Sequence, residues 1–352
     1  MGLNRLSISG FRCFDRVELE PVAGVNVIVG PNGSGKTSLL EAMFLLGRGR
    51  SFRAARKQAM IRETATALQV VGRLGDGRSV GIEVDKEGWR ARAGGEPVTQ
   101  LAELAGLLPI QLMDPEIHRL VQEGPGERRR YIDWATFHVE HDFLETWRKY
   151  QRALRQRNAA LRSRQPDSML QPWEQALGES GALLDRFRAA TVKRLAAPVS
   201  EAAERLLGVP LAIDYRPGQP AGTSLAEALA EHRERDRRAG TTQIGPHRGD
   251  LSLLLDEHKA RGWVSRGQQK LVAAALVLGQ AKLLAPFWKD RGVLLVDDPA
   301  AELDGDRCGR LLALIAEMPF QVFVTSLHAE SLPGLLPDSM FHVEQGKVVR
   351  VV

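Results

Sequence analysis

The sequence predicts an α/β domain interrupted by a long, mainly helical insert. Three observations predict it. The apolar, β-branched runs LNRLSISGF, VNVIVG, ALQVVGRL and SVGIEVD occupy the first third of the chain and have the composition of strands. From about Glu116 to Gly240 such runs almost vanish, and Arg, Ala, Leu and Glu recur at helical spacing. Beyond Gly240 strands return as LSLLL, GVLLVDD and QVFVTS. The expected division is an α/β head from residues 1–115 plus 241–352, with the insert at 116–240.

Composition narrows the class. The chain has 352 residues, 43% hydrophobic and 26% charged, which describes a globular protein rather than a disordered one. A net charge of +5 is a mild hint of an anionic partner. Only Cys13 and Cys308 are present, so neither a disulfide framework nor a zinc site is expected, and a reducing cytoplasm is. The start MGLNRLSISGF has no apolar signal core, and Leu6 stands where myristoylation after Gly2 needs Ser or Thr. No stretch of ~18 apolar residues is seen, so no membrane span is expected.

The elements follow in chain order. VNVIVG is a buried strand, and GPNGSGKT after it obeys G-x-x-x-x-G-K-[ST]. Its residues Gly30, Pro31, Asn32, Gly33, Ser34, Gly35, Lys36 and Thr37 are the expected cradle for a nucleoside triphosphate. Glycines let successive N–H groups turn toward anionic oxygens. Lys36 would reach the β- and γ-phosphates, and the Thr37 hydroxyl would complete a Mg²⁺ shell. TSLLEAMFLLG continues as a helix, which sets the phosphates at a helix N-terminus. The GDG between ALQVVGRL and SVGIEVD is a hairpin turn. In PIQLMDPE, Gln111 is a candidate sensor of γ-phosphate and Mg²⁺, with a plain surface glutamine as the alternative.

Within the insert, Phe143, Trp147, Tyr150, Leu154 and Leu161 form one apolar stripe, with Arg148, Arg152, Arg155 and Arg162 roughly opposite. No acid lies between Arg148 and Arg164. Arg48, Arg50, Arg53, Arg56 and Lys57 make a second basic cluster after the nucleotide-loop helix. Both clusters suit the phosphate backbone of DNA; the alternative for each is a solvated face with acids supplied from elsewhere. No base-reading motif is in view, so shape or junctions rather than sequence would be recognised.

The second half of the nucleotide site lies near the C-terminus. VLLVDD is a buried strand that delivers two carboxylates to its C-terminal edge. Asp297 would bind Mg²⁺ and Asp298 would act as general base on the attacking water. In VSRGQQK, Ser265 is a helix N-cap, and Gly267 and Gln268 open a helix suited to an anion. Paired with the phosphate loop, this helix start resembles the signature of ABC-type ATPases, in which one head's signature closes on the ATP of the other. AELD follows at the spacing of the loop that crosses between two such heads, which offers Glu302 and Asp304 for that crossing. After QVFVTS an ABC-type head usually carries a histidine; Ser326 holds that place, with His328 two residues on.

With GFRCF, GPNGSGKTSLLEA, GRSFRAAR, LMDPE, GPGERRRYIDWATFHVE, YQRALRQRNAALR, GPHRGDL, SRGQQK and VDDPAAELD in place, nearly the whole chain resembles the RecF family of bacterial recombination and repair ATPases, relatives of SMC proteins. Pro299 and Ala301 depart from bulkier or hydroxyl residues common there, without removing a charged ligand. The resemblance implies an ABC-type P-loop ATPase head with an inserted helical lobe. It implies Lys36, Asp298 and Ser265 as catalytic residues, ATP and Mg²⁺ as cofactors, and slow hydrolysis. It further implies a cytoplasmic homodimer with ATP that binds DNA, partners RecR and helps load RecA at gapped DNA. The competing readings are the ATPase subunit of a membrane transporter and a small-molecule kinase.

Overall fold

The computed structural model describes residues 2–220, 222–301 and 303–351. The chain divides into two units, residues 1–117 with 274–352, and residues 118–273.

The first unit holds two six-stranded sheets. Val25–Val29, Val293–Val296 and Gln321–Ser326 are buried at every position. Such unbroken apolar runs suit a parallel sheet covered on both faces. Its order is Lys347–Arg350, Ser339–Glu344, Val25–Val29, Gln321–Ser326, Val293–Val296, Ile110–Met113. All neighbours run parallel except the hairpin of the first two. Val29 pairs with Ser326, and Val296 with both Val324 and Met113, so Val25–Val29, Gln321–Ser326, Val293–Val296 and Ile110–Met113 end along one edge.

The second sheet is antiparallel and runs Phe14–Leu19, Leu3–Phe11, Leu68–Leu74, Ser79–Val84, Trp89–Ala93, Glu96–Val98. Burial alternates along Leu68–Leu74, which turns one face to the core and one to solvent. The expected GDG hairpin joins Leu68–Leu74 to Ser79–Val84. The helix Lys36–Arg48 is buried at every position from 38 to 47, as a helix apolar all round must be. Leu39, Leu45 and Leu46 share one core with Leu6 and Ile8 of the antiparallel sheet and Ile28 and Phe323 of the parallel one.

The second unit is built on three long helices, Pro125–Val139, Phe143–Arg162 and Asp167–Leu207. The apolar stripe of Phe143–Arg162 lies where its spacing predicts: Phe143, Tyr150, Leu154 and Leu161 are buried and Trp147 is partly so. Arg157, on the same helix, has no exposed side-chain surface. Its guanidinium donates to Glu174, Asp236, the Thr242 hydroxyl and the Leu229 carbonyl.

Three expectations need correction. LSLLL belongs to the second unit: as Asp250–Leu255 it pairs with Leu211–Arg216, a strand inside the supposed helical stretch. Alternation marks a strand but does not name its partner, which is why the boundary read at 240 falls instead at 273, inside the helix Arg266–Trp288. Finally, that helix does contain a window apolar enough to cross a membrane, of mean hydropathy 1.6, and 72% of the window is buried inside the protein. It is a core helix, in which Gln280 and Lys282 interrupt an otherwise apolar run.

The Arg157 cluster should dominate the stability of the second unit. Arg157→Leu leaves Asp236 and Glu174 buried with fewer cations, so unfolding free energy is expected to fall by about 3–5 kcal/mol. Denaturant unfolding followed by circular dichroism measures it, and a fall of under about 1 kcal/mol would deny the cluster that role.

Candidate nucleotide site

The nucleotide loop leaves Val29 and is moulded by its neighbours. A Cβ on Gly30 would lie 2.1 Å from the Val343 carbonyl. Gly35 has φ +118°, and a Cβ there would meet Cys13 Sγ at 2.7 Å and the Phe14 ring at 2.9 Å. The GFRCF run therefore forms the floor beneath the loop, and only glycine fits at both places. Pro31, Asn32 and Gly33 are exposed at the tip. Gly35 caps the helix Lys36–Arg48 without any side-chain bond, and no acid lies in the first turn. That leaves a helix N-terminus ready for an anion. Lys36 Nζ donates to the Gly30 and Pro31 carbonyls at 2.6 and 3.0 Å. Burial pushes its pKa down, opposed by the charges of Asp298 and Asp297.

Both aspartates of VLLVDD stand at the edge where the parallel strands end. Asp297 Oδ1 accepts from Thr37 Oγ1 at 3.1 Å and from Thr325 Oγ1 at 2.6 Å. The Asp298 N–H donates to that same Thr325 hydroxyl at 3.0 Å. Asp298 is half-buried and has φ +47°, a conformation that L-residues other than Asn and Asp seldom adopt. Thr325 was not legible as a site residue; the signal was its place at the end of QVFVTS, beside the two acids. Asp114 was also missed: Asp297 N–H bonds to the Met113 carbonyl, so the register brings Asp114 to the same edge.

The residues present fit a magnesium nucleotide. Ser34 Oγ and Ser326 Oγ are buried and, among the described residues, lack hydrogen-bond partners. Ser326 pairs with Val29, the last residue before the loop. Thr37 and Asp297 would hold Mg²⁺, and no cluster of three or more His, Cys, Asp or Glu occurs among the described residues. That pattern suits Mg²⁺, which is bound through one or two carboxylates plus substrate phosphates and water.

Gln111 does not belong with them, which is a correction. It lies inside strand Ile110–Met113 opposite Leu294, three residues short of Asp297, and its amide donates to Gln280 at 3.0 Å. It is 6% exposed, so it is not a surface glutamine either. Its side chain is one half of a buried structural pair. His328 is exposed beyond the strand end that Ser326 occupies.

VSRGQQK forms an exposed helix start. Ser265 Oγ accepts from Gln268 N–H at 3.3 Å, and Gln268 Oε1 accepts from Ser265 N–H at 2.9 Å. This reciprocal capping box leaves the Ser265 hydroxyl proton free to donate. No acid lies in the helix's first turn. Asp304 caps Gly305–Ala316 by accepting from Arg307 N–H, while Glu302 lies outside the described residues.

The basic clusters separate into two kinds. Arg148, Arg152, Arg155 and Arg162 are on Phe143–Arg162, and all four are exposed. Arg50 and Arg56 are exposed, and Arg53 keeps about half of its side-chain surface open. Arg48 and Lys57 are corrected: Arg48 lies 5.5 Å over the Phe44 ring and donates to the Ile110 carbonyl, and Lys57 lies 4.6 Å over Trp89. Burial lowers the pKa of both. They are packing cations.

Lys36→Met should abolish tight ATP binding, because the fixed charge on the phosphates is lost. Thr325→Val should leave ATP binding largely intact but weaken its Mg²⁺ dependence several-fold, since Asp297 loses the donor that orients it. Fluorescent-nucleotide titration with and without Mg²⁺ reads both; unchanged affinity in Lys36→Met would deny the loop its role.

Comparison with known proteins agrees with this geometry. Residues 2–348 match the model of the RecF/RecN/SMC N-terminal domain. A protein of Thioalkalivibrio sulfidiphilus (strain HL-EbGR7), called DNA replication and repair protein RecF, is 42% identical over 98% of this chain and 98% of its own. The protein of that name from Stutzerimonas stutzeri (strain A1501) is 39% identical over 100% and 98%. A solved structure described as the recombination mediator protein RecF-ATP in the RecFOR pathway superposes with TM-score 0.89 at 25% identity, covering 100% of this chain and 98% of that one. An SMC head bound to the C-terminal winged-helix domain of ScpA shares the fold, with TM-score 0.61 at 19% identity. The fold is that of an ABC-type ATPase head, and the chain belongs to the RecF/RecN/SMC family.

Proposed function

We propose that the protein is an ATP-gated, homodimeric DNA clamp of recombinational repair. The observation that carries the reading is the carboxylate Asp297 held between Thr37 of the nucleotide loop and Thr325 of the next strand, with Asp298 beside it. It supports binding and hydrolysis of a magnesium-bound nucleoside triphosphate, ATP in the solved relative. Lys36 and the helix N-terminus would hold the phosphates. Mg²⁺ would neutralise charge on the β- and γ-oxygens. Asp298 would orient the attacking water and accept its proton.

Each chain has one nucleotide loop and one helix start of the signature kind. In a dimer, Ser265, Gly267 and Gln268 of one subunit would contact the γ-phosphate held by Lys36 of the other. Losing that phosphate removes charge-assisted hydrogen bonds from the interface and opens the clamp. Asp304 and Glu302 would lie in the loop crossing between subunits. A weak, DNA-stimulated ATPase follows, because the γ-phosphate serves as a latch. The exposed arginines Arg50, Arg53, Arg56, Arg148, Arg152 and Arg155 support binding to phosphate backbone. The relatives' names and the RecFOR pathway of the solved structure support a setting in DNA repair. The family resemblance adds the rest of the proposal: a cytoplasmic protein with RecR as partner, RecA loading at gapped single- or double-stranded DNA as outcome, and no membrane.

Mixing variants tests the shared site. Ser265→Arg and Lys36→Met should each lack ATPase activity alone. A mixed dimer has one site with both lesions and one with neither, so activity should partly return on mixing. If mixed dimers form and no activity returns, the independent cross-subunit site is wrong.

A further inference from the structure

The three-stranded sheet of the second unit carries a cleft that neither basic cluster includes. Its volume is about 240 Å³, and Arg128, Arg216, Lys259 and Arg261 line it, with Ser252 and a floor of Val121, Leu251 and Leu253. Asp250 is the one acid in the lining. Arg128 holds it with two hydrogen bonds, at 2.7 and 3.0 Å. Its charge is therefore already answered. Arg216, Lys259 and Arg261 are exposed and, among the described residues, make no ion pair. Asp214 stands opposite Ser252 in the register but does not line the cleft.

Three unanswered cations around one concavity attract an anion, and the lining says which kind. No aromatic ring lines it to stack a base, and no glycine-rich turn supplies a cradle of N–H groups. Point charges around a concavity with no ring to stack on suit a phosphodiester passing across rather than a nucleotide entering. The site is also firmly built. Arg216 is paired with Asp250 in the ladder, and the GPHRGDL loop clamps the strand end: Gly245 N–H bonds to the Gly218 carbonyl at 2.8 Å, and Arg129 donates to the Gly249 carbonyl at 2.7 Å. A Cβ on Gly249 would sit 3.2 Å from the Arg216 carbonyl, so the loop lies directly against it.

We propose that this cleft, through Arg216, Lys259 and Arg261, binds the phosphate backbone of DNA as a contact separate from the helix face of Arg148, Arg152 and Arg155. The assignment rests on the DNA-binding reading above. Contact is to phosphate alone, so it adds affinity without sequence preference.

The test uses full-length protein with ATP and Mg²⁺, a labelled duplex and a salt series read by fluorescence anisotropy. For Arg216→Ala with Arg261→Ala, the slope of log affinity against log salt should flatten by roughly two, one for each phosphate no longer neutralised. Arg216→Lys with Arg261→Lys should keep the wild-type slope, and nucleotide affinity should be unchanged in both, which controls for folding. If wild type binds DNA with a salt-dependent affinity and the alanine pair has the same slope, the cleft is not a DNA contact, although the protein remains a DNA binder. If wild type itself shows no salt-dependent binding, the functional reading fails first. Inorganic tripolyphosphate supplies the other source of phosphate: if the alanine pair loses tripolyphosphate binding but keeps its DNA slope, the cleft serves free phosphates and the proposal is overturned.

Discussion

One carboxylate organises the nucleotide site. Asp297 takes hydrogen bonds from two threonines on different elements, one opening the helix after the nucleotide loop and one near the end of the neighbouring strand. The bonds are possible because Val25–Val29, Gln321–Ser326 and Val293–Val296 run parallel in tight register and stop together. That register is enforced by strands buried on both faces, where a slip would expose apolar surface and strand polar groups. The core thus sets the edge, and the edge sets the chemistry. Asp298, in its left-handed conformation, bonds through its backbone to the same Thr325 hydroxyl, so one side chain steadies both acids.

The second unit depends on a different device, arginines used as internal struts. Arg128 joins Pro125–Val139 to Asp250, Arg188 joins Asp167–Leu207 to Asp133 and to the Pro246 carbonyl, and Arg157 gathers Glu174 and Asp236. Several meet at GPHRGDL. There Tyr150 donates to His247 Nδ1 at 2.7 Å, because Nε2 is the ring's donor to the Thr242 carbonyl. Burial pushes His247 down to about 4, which keeps that neutral arrangement at physiological pH. The motifs that lie outside the nucleotide chemistry are therefore largely the joints of this unit. They hold rigid the surface that presents exposed cations.

The elements that carry the candidate nucleotide site were largely legible in the sequence because each motif's signal is local. GPNGSGKT, VLLVDD and VSRGQQK each carry their own spacing, and their strands and helices form as that spacing predicts. Legibility failed where the answer depended on a partner strand. Gln111 was a candidate sensor of γ-phosphate and Mg²⁺, yet the register places it three residues short of the edge. Asp250–Leu255 read as head material because alternation does not reveal that Leu211–Arg216 is its neighbour. Charge misled in the same way: Arg48 and Arg157 count equally with exposed arginines in a composition, and only packing shows one lying over Phe44 and the other sealed inside an ion-pair cluster.

The central claim is that the γ-phosphate joins two copies of the chain. Sedimentation velocity of the wild-type protein with Mg²⁺ and either ATP or ADP tests it most directly. The account predicts that ATP shifts the protein toward a dimer, that ADP does not, and that the dimer dissolves as ATP is consumed. Equal sedimentation in ATP and ADP, at concentrations where both nucleotides are bound, would contradict it.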